Sequence, residues 1–127
     1  MELMKLEIVT PNGEIYNEEV KQVTFPGADG EFGVLAQHAS LVSLLDAGLI
    51  DIETKESKHI SVAIDSGYVK VDENKTVCLV EGAIALDSED SNISIALEEA
   101  HKLVSSVKDS STAIAAATKI ENMRKSI

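Results

Sequence analysis

Phe25-Pro26-Gly27-Ala28-Asp29-Gly30-Glu31-Phe32-Gly33-Val34-Leu35-Ala36-Gln37-His38 is the stretch whose reading decides the fold. Pro26-Gly27 and Asp29-Gly30 are turn dipeptides, because Pro presets one backbone angle and Gly reaches conformations closed to other residues. Phe32, Val34 and Leu35 then resume an apolar strand pattern. The chain therefore leaves one strand, makes a compact excursion and re-enters the sheet. On turn chemistry alone this is a solvated hairpin loop with Asp29 and Glu31 at its tip.

Upstream of this loop, Met4, Leu6 and Ile8 alternate with Lys5 and Glu7, the period of a half-buried strand. Pro11-Asn12-Gly13 supplies a turn, and a second strand begins at Ile15-Tyr16. It is expected to be interrupted by Asn17-Glu18-Glu19 and to bulge or kink between Val20 and Val23, where strict alternation fails. Downstream, the apolar run from Ala39 to Leu45 suits a helical turn or a strand, and is assigned here as strand. Leu49, Ile50 and Ile52 pair with Ile60, Val62 and Ile64 in a hairpin with a charged tip. Short strands at Tyr68–Val71, Thr76–Val80 and Ala83–Leu86 follow, with turn residues at each break. This spacing predicts an antiparallel β-sandwich or flattened barrel of about eight to ten strands.

The pattern changes at Asp87. Polar residues 87–92 favour a helix start, after which Ile93, Ala96, Leu97, Ala100, Leu103, Val104 and Val107 recur at steps of three and four. Lys108-Asp109-Ser110-Ser111 breaks this helix. Ala113, Ala116, Ala117, Ile120, Met123 and Ile127 trace a second stripe, so the end of the chain reads as an antiparallel helical hairpin. Two domains are expected, a sandwich over 1–86 and a hairpin over 87–127. The hairpin's Ala-rich face buries little apolar area, so it is predicted to be marginal alone and able to leave its resting place.

Composition excludes several functions. The formal charge of -11 repels phosphate backbones and anionic lipid, and aromatic residues at 3% leave no platform for stacking bases. Nucleic acid is not expected as a partner. No apolar run approaches the roughly 18 residues of a membrane span and no signal-peptide pattern opens the chain, so a cytoplasmic protein without membrane insertion is expected. The lone Cys78 sits in an apolar run and is expected to be a buried, inert thiol. His38, His59 and His101 lack ligand spacing, and no metal site is expected. Asp87, Glu89, Ser91, Ile93, Ile95 and Glu98 fall on the calcium-loop positions, but Asn92 stands where that loop needs Gly. No P-loop, dinucleotide fingerprint, nucleophile elbow or HExxH occurs, so no catalytic residue is assigned. Residues 1–86 hold 15 acids and 6 bases, whereas residues 110–127 set Glu121 against Lys119, Arg124 and Lys125. That basic end suits either a solvated helix terminus or a docking role.

The run Pro26-Gly27-Ala28-Asp29-Gly30-Glu31-Phe32-Gly33-Val34-Leu35, with His38-Ala39 and then Leu41, Gly48 and Ile50, resembles the signature of the epsilon subunit of the bacterial rotary ATP synthase. The resemblance extends to Leu6-Glu7-Ile8-Val9-Thr10-Pro11, to Ile64-Asp65-Ser66-Gly67-Tyr68-Val69-Lys70-Val71 and to the strand region Thr76 to Ala83 before two helices. It implies a ten-stranded β-sandwich followed by a helical hairpin. It further implies a non-catalytic central-stalk subunit of the proton-translocating synthase, on the cytoplasmic face of the membrane. Such a subunit would bind the gamma subunit, touch the rotor ring of c subunits and restrain ATP hydrolysis when its helices extend toward the catalytic alpha/beta head. Carried over position by position, Ala28, Asp29, Gly30 and Glu31 match the loop that meets the rotor ring, and His38 a position near the same end. The helices match in place, which makes Lys119, Arg124 and Lys125 candidates for the regulatory contact. The nucleotide pattern of some members, an acid followed three residues later by Arg-Ala, is not found in Ile95-Ala96-Leu97-Glu98-Glu99-Ala100-His101-Lys102, and no cofactor is expected. The alternative is a free-standing ligand-binding β-sandwich with accessory helices.

Overall fold

The computed structural model describes residues 2–87, 89–107 and 110–125. Alternation puts Met4, Leu6 and Ile8 inside strand β1 (Met4–Thr10), and Gly13, at φ +126°, turns the chain into β2 (Gly13–Phe25). Thr10 closes that turn, its hydroxyl donating to the Gly13 carbonyl at 3.1 Å and accepting the Asn12 N–H at 3.2 Å. β2 runs unbroken through Asn17-Glu18-Glu19, where an interruption was expected. Those residues pair by backbone with Glu7, Leu6 and Lys5 of β1, a ladder indifferent to their side chains. The expected bulge is present between Val20 and Gln22, and it turns both Val20 and Val23 inward.

β3 (Phe32–Leu35) folds back on β2 with Phe25 opposite Phe32, their rings 5.6 Å apart. Then come β4 (Leu41–Leu45), β5 (Gly48–Thr54), β6 (His59–Ile64), β7 (Gly67–Val71), β8 (Lys75–Val80) and β9 (Ala83–Leu86). The hydrogen-bonded order is β4-β7-β8-β1-β2-β5-β6-β9, with β3 added to β2. Val69 from one end of this path and Val62 from the other lie in a single core with Leu6, Phe25, Ile50 and Cys78, so the sheet closes over itself as a sandwich. Among the described residues it has nine strands, within the eight to ten expected, and Gly27 makes an isolated bridge to Leu45. One pairing also departs from the all-antiparallel expectation. β1 and β8 run parallel, which strands far apart in sequence can do because no tight turn joins them.

Helix α1 (Ile93–Ser105) buries Leu97, Ala100 and Val104, and α2 (Ser111–Lys125) buries Ala113, Ala116 and Ile120. Ser110 caps α2, its hydroxyl accepting the Ala113 N–H at 3.2 Å. Leu97, Ala100, Val104, Ala116 and Ile120 pack on Leu49, Ala63 and Leu86, the outer side of β5, β6 and β9. Of the break and second stripe expected from sequence, Lys108, Asp109 and Ile127 lie outside the described residues.

Candidate functional site

The Gly-rich loop is held at its base and open at its tip. Gly27 is buried, and a Cβ there would sit 2.5 Å from the Gly30 carbonyl oxygen and 2.9 Å from the Phe32 ring, so only Gly fits. The Gly30 N–H donates to the Gly27 carbonyl at 3.0 Å, and Gly30 takes φ +127°. Two further bonds fasten the loop to β4 and its turn, Ala28 N–H to the Leu44 carbonyl and Asp46 N–H to the Pro26 carbonyl, each 2.9 Å. Ala28, Asp29, Gly30 and Glu31 are left exposed, a rigid projection carrying two carboxylates.

His38 does not join them. It follows β3 while the loop precedes it, so the four residues Phe32–Leu35 stand between them in the chain. Its Nδ1 lies 2.6 Å from the Ala39 carbonyl oxygen, and the adjacent Gln37, at φ +65°, donates its N–H to Glu73 in the β7–β8 turn.

Sequence reasoning missed an apolar row on the outside of the sheet. Leu44, Tyr68 and Leu79 are direct cross-strand neighbours on β4, β7 and β8, and are 68%, 44% and 37% exposed. Val9 on β1 stands opposite Leu79. Together with Pro11 and Ala28 these residues line a groove of about 630 Å³. A signal was present. Leu41 to Leu45 and Thr76 to Val80 are apolar at both odd and even positions, which a strand needs when both its faces are to be covered.

Two of the three C-terminal bases, Lys119 and Arg124, are engaged with this chain's own carboxylates. Lys119 Nζ lies 3.4 Å from Asp51 Oδ2 on β5, and Arg124 pairs with Glu121 at 3.0 Å. Glu121 also faces His101 of α1 at 3.8 Å across the interhelical cleft, which Lys125 lines. At the start of the hairpin, Lys58 of the β5–β6 turn pairs with Asp87 and Glu89. Cys78 is buried in the core, and burial pushes its thiol up to about 12. Among the described residues no group of three His, Cys, Asp or Glu is placed to hold a metal, and no helix is long and apolar enough to cross a membrane.

A sandwich with a rigid carboxylate-tipped loop, an uncovered apolar row and a docked helical hairpin is a module shaped to be held by other proteins. The family described as ATP synthase, Delta/Epsilon chain, beta-sandwich domain matches residues 3–86. An ATP synthase epsilon chain of Sulfurovum sp. (strain NBC37-1) is 61% identical over 127 residues, 99% of each chain. One from Sulfurimonas denitrificans is 54% identical over 120 residues, covering 93% of this chain and 92% of the relative. Among solved structures, a chain of the Euglena gracilis mitochondrial ATP synthase, in a complex of OSCP, F1 and c-ring, is 25% identical with a TM-score of 0.64, covering 98% of this chain and 81% of that one. The chain belongs to the ATP synthase epsilon chain family, a subunit of the synthase complex and not itself the catalytic subunit.

Proposed function

We propose that this central-stalk subunit links the gamma subunit to the ring of c subunits through its sandwich and restrains ATP hydrolysis through its helices. One observation carries the reading: two unlike surfaces meet at Ala28, which belongs to the exposed loop and also lines the apolar groove. The row Leu44–Tyr68–Leu79 suits a permanent apolar contact with gamma, since exposed apolar patches of this kind mark protein interfaces. The tip Ala28-Asp29-Gly30-Glu31 suits the polar loops of the rotor ring. His38, at the far end of β3, is assigned to the stalk. The subunit then lies on the cytoplasmic face of the membrane as a peripheral part of the complex.

Residues 1–86 and 87–127 act as separate domains in this reading. Its support is that the principal core draws on strands alone, whereas the helices add a second cluster on the sheet's outer side. Release of the hairpin would carry Arg124 and Lys125 to the catalytic alpha/beta head. ATPase activity of the reconstituted enzyme, with and without residues 87–127, tests this. Faster hydrolysis is expected from the truncated form, and from Arg124→Ala with Lys125→Ala at low salt. Equal rates with the subunit shown to be bound would refute the restraint. A monomer that fails to co-purify with gamma would instead favour the free-standing ligand-binding sandwich.

A further inference from the structure

Asp51 lies on β5 beneath α2 and accepts two bonds. Ser61 Oγ donates to its Oδ1 at 2.8 Å, and Lys119 Nζ approaches its Oδ2 at 3.4 Å. Nearer the start of α2, Thr112 donates its hydroxyl to Asp46 Oδ2 at 3.3 Å. A cleft of about 110 Å³ between helix and sheet is lined by Pro26, Glu31, Gly48, Asp51, Thr112 and Lys119. Lys119 is thus the cation of a cleft whose walls carry Glu31 of the Gly-rich loop and Asp51. Ser61 holds Asp51 in place before the ammonium arrives, so less side-chain freedom is lost on pairing.

We propose that the Lys119–Asp51 pair is a latch that sets how often α2 leaves the sandwich. Lys119 therefore favours the docked, unrestrained state, in opposition to Arg124 and Lys125. The proposal rests on the reading that the hairpin moves during regulation. Release of α2 would remove the cation from beside Glu31 and Asp51, so hairpin position and the charge behind the rotor-facing loop change together.

The test uses the full-length chain and the assembled enzyme, with Lys119→Glu, Asp51→Lys and the double exchange. Lys119 and Asp51 are 55% and 37% exposed at their side chains, so the fold tolerates these changes, and β1 and β2 amides serve as the internal standard. In the isolated chain at low salt, each single variant is expected to speed hydrogen exchange of α2 amides about three- to tenfold. The double variant should recover much of the loss. In the assembled enzyme the single variants should hydrolyse ATP more slowly, the direction opposite to Arg124→Ala. Unchanged exchange in both singles, or a double variant no better than either, would overturn the latch. Faster exchange with unaltered hydrolysis would support the latch and overturn the regulatory reading on which its role depends.

Discussion

Ile120→Ala separates the hairpin from the sandwich energetically. The buried positions of α2 are Ala113, Ala116 and Ile120, so Ile120 is the one large side chain that the helix buries fully, in a cluster with Leu49, Ala63 and Leu86, while Ala117 and Met123 pack against that cluster only partly buried. Truncating an aliphatic side chain where the surroundings stay in place costs about 2–5 kcal/mol. The two alanines and the exposed polar pairs supply little to offset that, because exposed ion pairs are each worth about 0.2–1 kcal/mol. The expected response is therefore release of α2 rather than a retained cavity. Hydrogen exchange should show α2 amides losing protection while those of β1, β2 and β5 keep theirs. The melting temperature of the sandwich should move by no more than about 4 °C, the scale of a surface change. Ile64→Ala, in the principal core, is the comparator and should lower it several times further. A sandwich transition lowered as far by Ile120→Ala as by Ile64→Ala would refute the reasoning and make the hairpin part of the core.

Truncation after Leu86 should leave a cooperative thermal transition but uncover Leu49, Ala63 and Leu86, read out by dye binding and self-association. Glu31→Lys should weaken attachment to the c-ring, more at low than at high salt, because charges are screened over about 8 Å at physiological ionic strength; unchanged attachment at all salts would return the loop to a solvated hairpin. The Cys78 thiol, raised from 9.0 to about 12, keeps its proton in the fold but not in the unfolded chain between those values. Its stabilising share is full below pH 9 and is lost as pH rises toward 12, so urea midpoints of wild type should fall over that range more than those of Cys78→Ala. Gly67→Ala should destabilise by about 1–3 kcal/mol or more, since the new methyl would lie 2.2 Å from the Leu79 carbonyl oxygen and backbone must shift.

Strand positions were legible where side chains alternate, as in Met4-Leu6-Ile8, because burial of one face writes itself into every second residue. Helix stripes were legible for the same reason at a different period. The continuity of β2 was not, since polar side chains at 17–19 say nothing about the backbone ladder beneath them. Nor was the β1–β8 pairing, which depends on residues about 70 apart and leaves no local mark. The loop tip was readable from its turn chemistry, whereas its separation from His38 depends on β3 lying between them. The apolar row was hidden because its members come from strands that only the fold brings side by side.

The parallel seam between β1 and β8 also sets an order of events during synthesis. Residues 5–9 emerge first but find their partners, residues 75–79, only when the last strands have left the ribosome. Until then β1 can hold β2 on one edge and nothing on the other, an open template for mispairing. The helices are translated afterwards, so they meet a sheet already able to close and add to it without guiding it. Force measured on stalled nascent chains should accordingly show one principal folding event, appearing only once Val80 has cleared the exit tunnel.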